Sequence, residues 1–188
     1  MIRSIHEKLL FLFKFSNDPQ YIGSVTPSSR HLAHKMVASV PWDEVESVVE
    51  LGAGTGSVTR QIERASQEET KIILFEKDSG LRDYMAQQYP HPCYRDALHL
   101  QDALRNEQLT NVDCIISCLP FFNFQPAMRS KILKQINQSL RPEGWFIAFQ
   151  YSLQMRKSFS QYFEIERIRF VLFNVPPAFV YVCRKKKE

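Results

Sequence analysis

The chain has little of what would make it a metalloprotein, a disulfide scaffold or a membrane span. Its 188 residues hold four cysteines, Cys93, Cys114, Cys118 and Cys183, and no two form a Cys-x-x-Cys pair. Two of them fall in one apolar, strand-like run, so neither a zinc site nor a disulfide framework is indicated; reduced, buried thiols are expected. No apolar run approaches the 18 or so residues that a spanning helix needs. The N-terminus mixes basic residues through its apolar ones and lacks a small-residue cleavage site, so it does not read as a signal peptide. His31 and His34 stand at i, i+3 with no further ligand in view, and read as a solvent-facing pair rather than a metal site. Internal repeats, low-complexity segments and linkers are also missing. The expectation is one cytoplasmic domain without a metal.

What is present is an ordinary apolar share, 44%, and a modest charge of +4. The basic residues gather at the ends: "RKKKE" closes the chain, and Arg3, Lys8 and Lys14 dot its start. Basic ends suit an anionic partner such as phospholipid or nucleic acid. Residues 2–15 set Ile2, Ile5, Leu9, Leu12 and Phe13 at helical spacing, which predicts an amphipathic helix. A second helix is predicted in "PSSRHLAHKMVASV", with Ser28 or Ser29 as its cap. Residues 1–40 are thus read as an N-terminal helical segment, and 41–188 as the core.

Beyond residue 46, strands alternate with helices. "SVVELG" (47–52), "KIILFEKD", a short strand within "PHPCYRDA", "VDCIISCLP" and "WFIAFQYS" read as strands one to five. Helices are expected near 57–65, near 79–89, over "AMRSKILKQINQSL" up to "RPEG", and near 153–163. "RIRFVLFNV" and "AFVYVCR", joined through Pro176 and Pro177, can only pair antiparallel. The pattern predicts an α/β fold: a doubly wound, mainly parallel sheet of seven strands whose last strand is antiparallel.

The chemistry begins at "VVELGAGTGSVTR" (48–60). In such a sheet, ligands lie beyond the carboxyl ends of the strands. Gly52, Gly54 and Gly56 stand there, where absent Cβ atoms let the backbone approach a ligand. Their G-x-G-x-G spacing differs from the G-x-G-x-x-G of dinucleotide binders, and no G-K-[ST] of a P-loop follows. Glu50 precedes the glycines, positioned to face an ammonium or sulfonium group. Glu76 ends strand two, where an acid accepts the hydroxyls of a ribose. Asp96 follows strand three, within reach of an adenine amine. Three acids at successive strand ends describe a pocket for an adenosine with a cationic tail and no phosphates, which is S-adenosyl-L-methionine.

"VELGAGTG" closely resembles the first motif of the class I methyltransferases, and the resemblance extends over residues 48–184. It implies that Glu50 and the Gly52–Ala53–Gly54–Gly56 backbone hold the methionine portion, with Glu76 on the ribose and Asp96 near the adenine. Lys77, Ala97 and Ser117 join the implied cofactor-binding set, and S-adenosyl-L-homocysteine is the implied product. The corner after strand four, "SCLPFFNF" (117–124), departs from the N-L-P-[YF] of the adenine-N6 methyltransferases: Cys118 stands where the carboxamide would hold a planar amine. Together with "YIGSVTPSSR", "LRPEGWFIAFQYS" and "NVPPAFVYVCR", that corner resembles the bacterial phospholipid N-methyltransferases, which convert phosphatidylethanolamine towards phosphatidylcholine. This resemblance implies an N-terminal helix that lies on the membrane, and a peripheral location at its inner face. Under it Tyr21, Phe121 and Tyr151 line the head-group amine, and Arg30 faces the lipid phosphate. The sequence offers no dedicated base. The alternatives are an rRNA or tRNA adenine N-methyltransferase and an enzyme for soluble amines; no obligate protein partner is evident.

Overall fold

The computed structural model describes residues 28–187; the predicted helix over 2–15 and Tyr21 lie outside the described residues. The elements are α1 (Arg30–Val37), β1 (Ser47–Leu51), α2 (Thr59–Ala65), β2 (Lys71–Phe75), α3 (Ser79–Gln88), β3 (Cys93–Tyr94) and α4 (Leu100–Asn106). They continue as β4 (Val112–Ser117), α5 (Pro126–Ser139), β5 (Leu140–Gln150), α6 (Arg156–Tyr162), β6 (Phe163–Val171) and β7 (Ala178–Lys185). One seven-stranded sheet has the order β3-β2-β1-β4-β5-β7-β6, and β7 alone runs antiparallel to its neighbours. The predicted fold class is the observed one.

Local chemistry sets the helix starts. Ser29 caps α1 by accepting the Leu32 N–H at 3.1 Å, Asp78 caps α3 by accepting that of Leu81 at 2.9 Å, and Pro126 opens α5. β1 is buried at all five positions, as a strand covered on both faces must be. One face carries α1, α2 and α3 through Leu32, Met36, Ile62 and Met85. The other carries α4, α5 and α6 through Leu104, Leu133 and Phe159. The stretch 30–40 is therefore built into the same core as the strands. Among the described residues, no helix is long and apolar enough to cross a membrane.

Three boundaries differ from the sequence expectation. α2 starts at Thr59 rather than near 57, because the glycine loop runs on to Val58. "RPEG" does not merely stop α5: β5 reaches back through it to Leu140, with Glu143 at φ +58° and a register break opposite Val112 and Cys114. β6 starts at Phe163 and ends at Val171, and its register shifts between Ile165 and Arg167. That bulge scrambles the period-two alternation by which a strand is recognised.

Candidate active site

The parallel register aligns the strand ends. Leu51 pairs with Phe75 on one side and Ser117 on the other, and Phe75 pairs with Tyr94. Glu76, Asp96 and Cys118 therefore leave the sheet along the same edge as Gly52. β1 and β4 are neighbours whose following helices lie on opposite faces, so this is the switch point at which a crevice opens.

The glycine loop is tied down before it turns. The N–H groups of Gly52 and Ala53 both donate to the Phe75 carbonyl, at 2.8 and 3.0 Å. Gly54 and Gly56 then take φ of +56° and +78°, a region that glycine enters without strain. A Cβ on Gly56 would stand 2.5 Å from the Tyr89 hydroxyl, which donates to the Gly56 carbonyl at 3.2 Å. Glu76 closes the loop from the side: one carboxylate oxygen accepts the Gly54 N–H at 2.8 Å, the other the Asp78 N–H at 2.9 Å.

Glu50 is wholly buried beneath this loop. Its Oε2 accepts the Thr59 hydroxyl at 2.5 Å, and its Oε1 has no protein partner. Burial pushes its carboxyl up to about 8; Glu76 adds to the rise and the Thr59 hydroxyl opposes it. Burial likewise raises Glu76, against the backbone N–H groups of Asp78, Gly54 and Lys77 that favour its ionised form. Two acids lie together at the crevice, and the buried Glu50 oxygen without a protein partner suits a cationic ligand. The ammonium and sulfonium of S-adenosyl-L-methionine fit that need, and Glu76 keeps spare lone pairs for hydroxyls.

The remaining positions divide. Asp96 is half-buried; its Oδ1 caps a short turn, Ala97–His99, by accepting the Leu98 N–H at 2.9 Å. Lys77 is exposed and its carbonyl accepts Arg82 Nη1 at 2.7 Å. Ser117 is fully buried on the Leu51 face, opposite Glu50, and its hydroxyl accepts the Leu119 N–H at 3.3 Å. It shapes the loop rather than presenting a hydroxyl to the Glu50 side. Arg30 begins α1, exposed in a cleft with Lys35 and Phe173.

Phe121 is a correction. Rather than lining an amine pocket, it is buried in the core, edge-on to Phe159 at 5.4 Å, Phe124 at 6.1 Å and Phe146 at 6.2 Å. The reason is the short 3-10 turn Phe121–Asn123, which aims the first ring inward and leaves Phe122 exposed. Tyr151, just past β5, is half-buried and edge-on to Phe149 at 5.5 Å.

Four contributors escaped the sequence reading. Thr59 and Tyr89 have been described; the third is Arg129 of α5. Its guanidinium donates to the carbonyls of Phe121, Phe122 and Phe124 at 2.9, 3.2 and 3.0 Å, fixing the corner after β4. The fourth is Gln150, buried at the end of β5, which donates to the Leu119 carbonyl at 3.0 Å. Only their polarity within apolar surroundings marks them in sequence. Cys118 stays a neutral thiol, because burial and the nearby Glu50 and Glu76 charges hold it well above its usual range.

Comparison with known proteins agrees with this geometry. The family model described as "Methyltransferase domain" matches residues 48–144, more than half of the chain. An ornithine lipid N-methyltransferase of Singulisphaera acidiphila is 28% identical over 185 residues, 95% of this chain and 96% of that protein. The structure of the N-methyltransferase NodS from Bradyrhizobium japonicum, in complex with S-adenosyl-L-homocysteine, superposes with a TM-score of 0.66 at 10% identity. That match covers 82% of this chain and 86% of NodS. TrmN from Thermus thermophilus gives a TM-score of 0.62 at 17% identity over 82% of this chain, which spans only 48% of TrmN. At such identities these two likenesses concern the fold. A glycine loop closed by Glu76 over an orphaned Glu50, on this strand order and within the matched span, has one reading: the chain belongs to the methyltransferase-domain family, as a class I enzyme that uses S-adenosyl-L-methionine.

Proposed function

We propose that the protein N-methylates the primary amine of a membrane-lipid head group, phosphatidylethanolamine or an ornithine lipid. The observation that carries this reading is the end-to-end match to a lipid N-methyltransferase, which extends well beyond the cofactor-binding half. The two head groups share their chemistry: a primary amine on a flexible arm at the membrane surface.

When bound, S-adenosyl-L-methionine supplies a methyl carbon activated by the sulfonium charge. The protein's part is to position, desolvate and stabilise. Glu50 Oε1 would take the cationic methionine end, which would favour the ionised carboxylate, while the Thr59 hydroxyl holds the other oxygen. Glu76 keeps the Gly54 turn in place and would hold the ribose hydroxyls, and Asp96 would hold the adenine amine. The acceptor amine, mostly protonated at neutral pH, must give its proton to water before its lone pair can accept a methyl group. Cys118, neutral at physiological pH, does not compete for the methyl group. Tyr151 and Phe122, both at this edge, offer ring faces to an amine that gains charge, for about 0.5–2 kcal/mol each. Arg30 and Lys35 suit the head-group anion, the phosphate of phosphatidylethanolamine or the carboxylate of an ornithine lipid.

The test is label transfer from methyl-labelled S-adenosyl-L-methionine, with vesicles of phosphatidylethanolamine, vesicles of ornithine lipid, total RNA and a soluble-amine extract as separate arms. Label in either lipid, and little in RNA or soluble amines, is expected. Label in RNA alone overturns the reading.

A further inference from the structure

Six large apolar side chains are exposed among the described residues, and all six lie at or beyond one edge of the sheet. Phe122 follows β4, Leu153 follows β5, and Phe170, Leu172, Phe173 and Val175 belong to the β6–β7 tip. Gln150 at the end of β5 pairs with Phe179, which pairs with Phe170. The tip therefore projects from the edge at which Glu50 and the glycine loop end β1. Leu172, Phe173 and Val175 are 61%, 72% and 80% exposed, a cost that a water-facing loop has no reason to carry.

The tip is fastened in this outward pose. Asn174 is buried amid its exposed neighbours: its Oδ1 accepts the Ser29 N–H at 3.0 Å and its Nδ2 donates to the Pro176 carbonyl at 2.7 Å. The Ser29 hydroxyl donates to the Phe173 carbonyl at 2.8 Å. With Asn174 turned in, Phe173 and Val175 turn out. Beside them a cleft of about 560 Å³ is lined by Arg30, His34, Lys35, Gln61, Leu172 and Phe173. The two segments that meet here, 28–42 and 167–182, contain no Asp or Glu, while they contribute Arg30, Lys35, Arg167 and Arg169.

We propose that the β6–β7 tip is a lipid-inserting wedge that seats this edge of the sheet, cofactor corner included, on an anionic bilayer. Apolar side chains at the tip enter the acyl boundary, and the flanking cations meet lipid phosphates; a patch without carboxylates complements such a surface. The inference rests on the lipid-acceptor reading, and adds an attachment separate from residues 2–15.

The test is co-sedimentation of the full chain with phosphatidylcholine vesicles, with and without phosphatidylglycerol. Wild type should prefer anionic vesicles and release as salt rises. The double variant Leu172→Ser/Phe173→Ser, confirmed as folded by its melting curve, should bind at least about tenfold more weakly. Lys35→Glu/Arg169→Glu should lose the anionic preference. The serine variant should still methylate a short-chain lipid kept below its micellar concentration. Undiminished vesicle binding by the serine variant overturns the wedge. So does stronger binding by it, which would mean that residues 1–27 cover the tip, or a change from dimer to monomer, which would mean that a second copy does. If wild type binds anionic vesicles through the tip but labels no lipid, the acceptor reading fails and the wedge stands.

Discussion

Thr59 donates its hydroxyl to Glu50 across 2.5 Å at a point where neither side chain meets water. The bond joins the first residue of α2 to the end of β1, so it spans the glycine loop and fixes the buried carboxylate beneath it. Thr59→Val keeps the shape and removes the donor. It should weaken S-adenosyl-L-homocysteine binding by about ten- to a hundredfold, since a bond to a buried charged group is worth roughly 1.5–3 kcal/mol. Calorimetry checks this; unchanged affinity would show that Thr59 only packs.

Glu50 also sets a pH dependence. Its carboxyl titrates at about 8 in the fold against an ordinary value of 4.5. Between those values the folded chain holds a proton that the unfolded chain has released, so raising the pH through this window removes stability. Glu76 is raised too and acts in the same direction. The ligand-free melting temperature should fall by several degrees from pH 5 to pH 8, at about 2–4 °C per kcal/mol for a chain of this size. Much of that fall should vanish in Glu50→Gln, and affinity for S-adenosyl-L-homocysteine should rise over the same range. A flat wild-type curve would sink the argument.

Gly54 and Gly56 both have positive φ but differ in room. Nothing lies within 4 Å of a Cβ on Gly54, whereas one on Gly56 meets the Tyr89 hydroxyl at 2.5 Å. Gly54→Ala should therefore cost only about 1 kcal/mol, from backbone strain. Gly56→Ala should cost at least about 2 kcal/mol more, because a clash adds to the strain. Urea denaturation separates the two, and Tyr89→Ala should recover part of the second loss. Equal costs would refute the clash.

Adjacent phenylalanines should behave oppositely. Phe121→Ala opens a cavity among Phe124, Phe146 and Phe159 and should destabilise by about 3–5 kcal/mol. Phe122→Ala, at an exposed position, should leave the melting temperature within about 2 °C while raising the acceptor KM. A stable Phe121→Ala protein with a raised acceptor KM would return Phe121 to the amine pocket.

Arg129 touches the corner through three carbonyls rather than through a ligand. Arg129→Lys should raise the acceptor KM about tenfold and leave S-adenosyl-L-homocysteine affinity within about twofold. Equal losses in both would make Arg129 a general stabiliser instead.

The sheet and the cofactor corner were legible because their signals are local. Buried parallel strands read as unbroken apolar runs, and glycines and acids follow each run at fixed offsets, as at Glu50, Gly52 and Glu76. The acceptor side was less so. In "PFFNF" periodicity cannot say which ring turns inward; the 3-10 turn decides, and its geometry is locked by Arg129 from a helix several residues on. The start of β6 was hidden for the same kind of reason: a bulge shifts its alternation, and only pairing with β7 restores the register. Tyr89 and Thr59 became functional through distance in space, which no spacing rule reports.

β7 is the last strand in the chain and an interior strand in the sheet, flanked by β5 and β6. During synthesis β1 to β5 can assemble in turn as they leave the ribosome, while β6 waits, because its one partner in the sheet is made after it. Until residues 178–185 arrive, β5 is an open edge and Trp145 to Phe149 stay available for wrong pairing. Completion is therefore a closing stroke: the final strand joins β6 to the sheet, shuts the edge, and draws the apolar tip into position in one event. A ribosome-bound chain stalled before residue 178 should bind chaperone or a hydrophobic dye, and release of the full chain should abolish that binding.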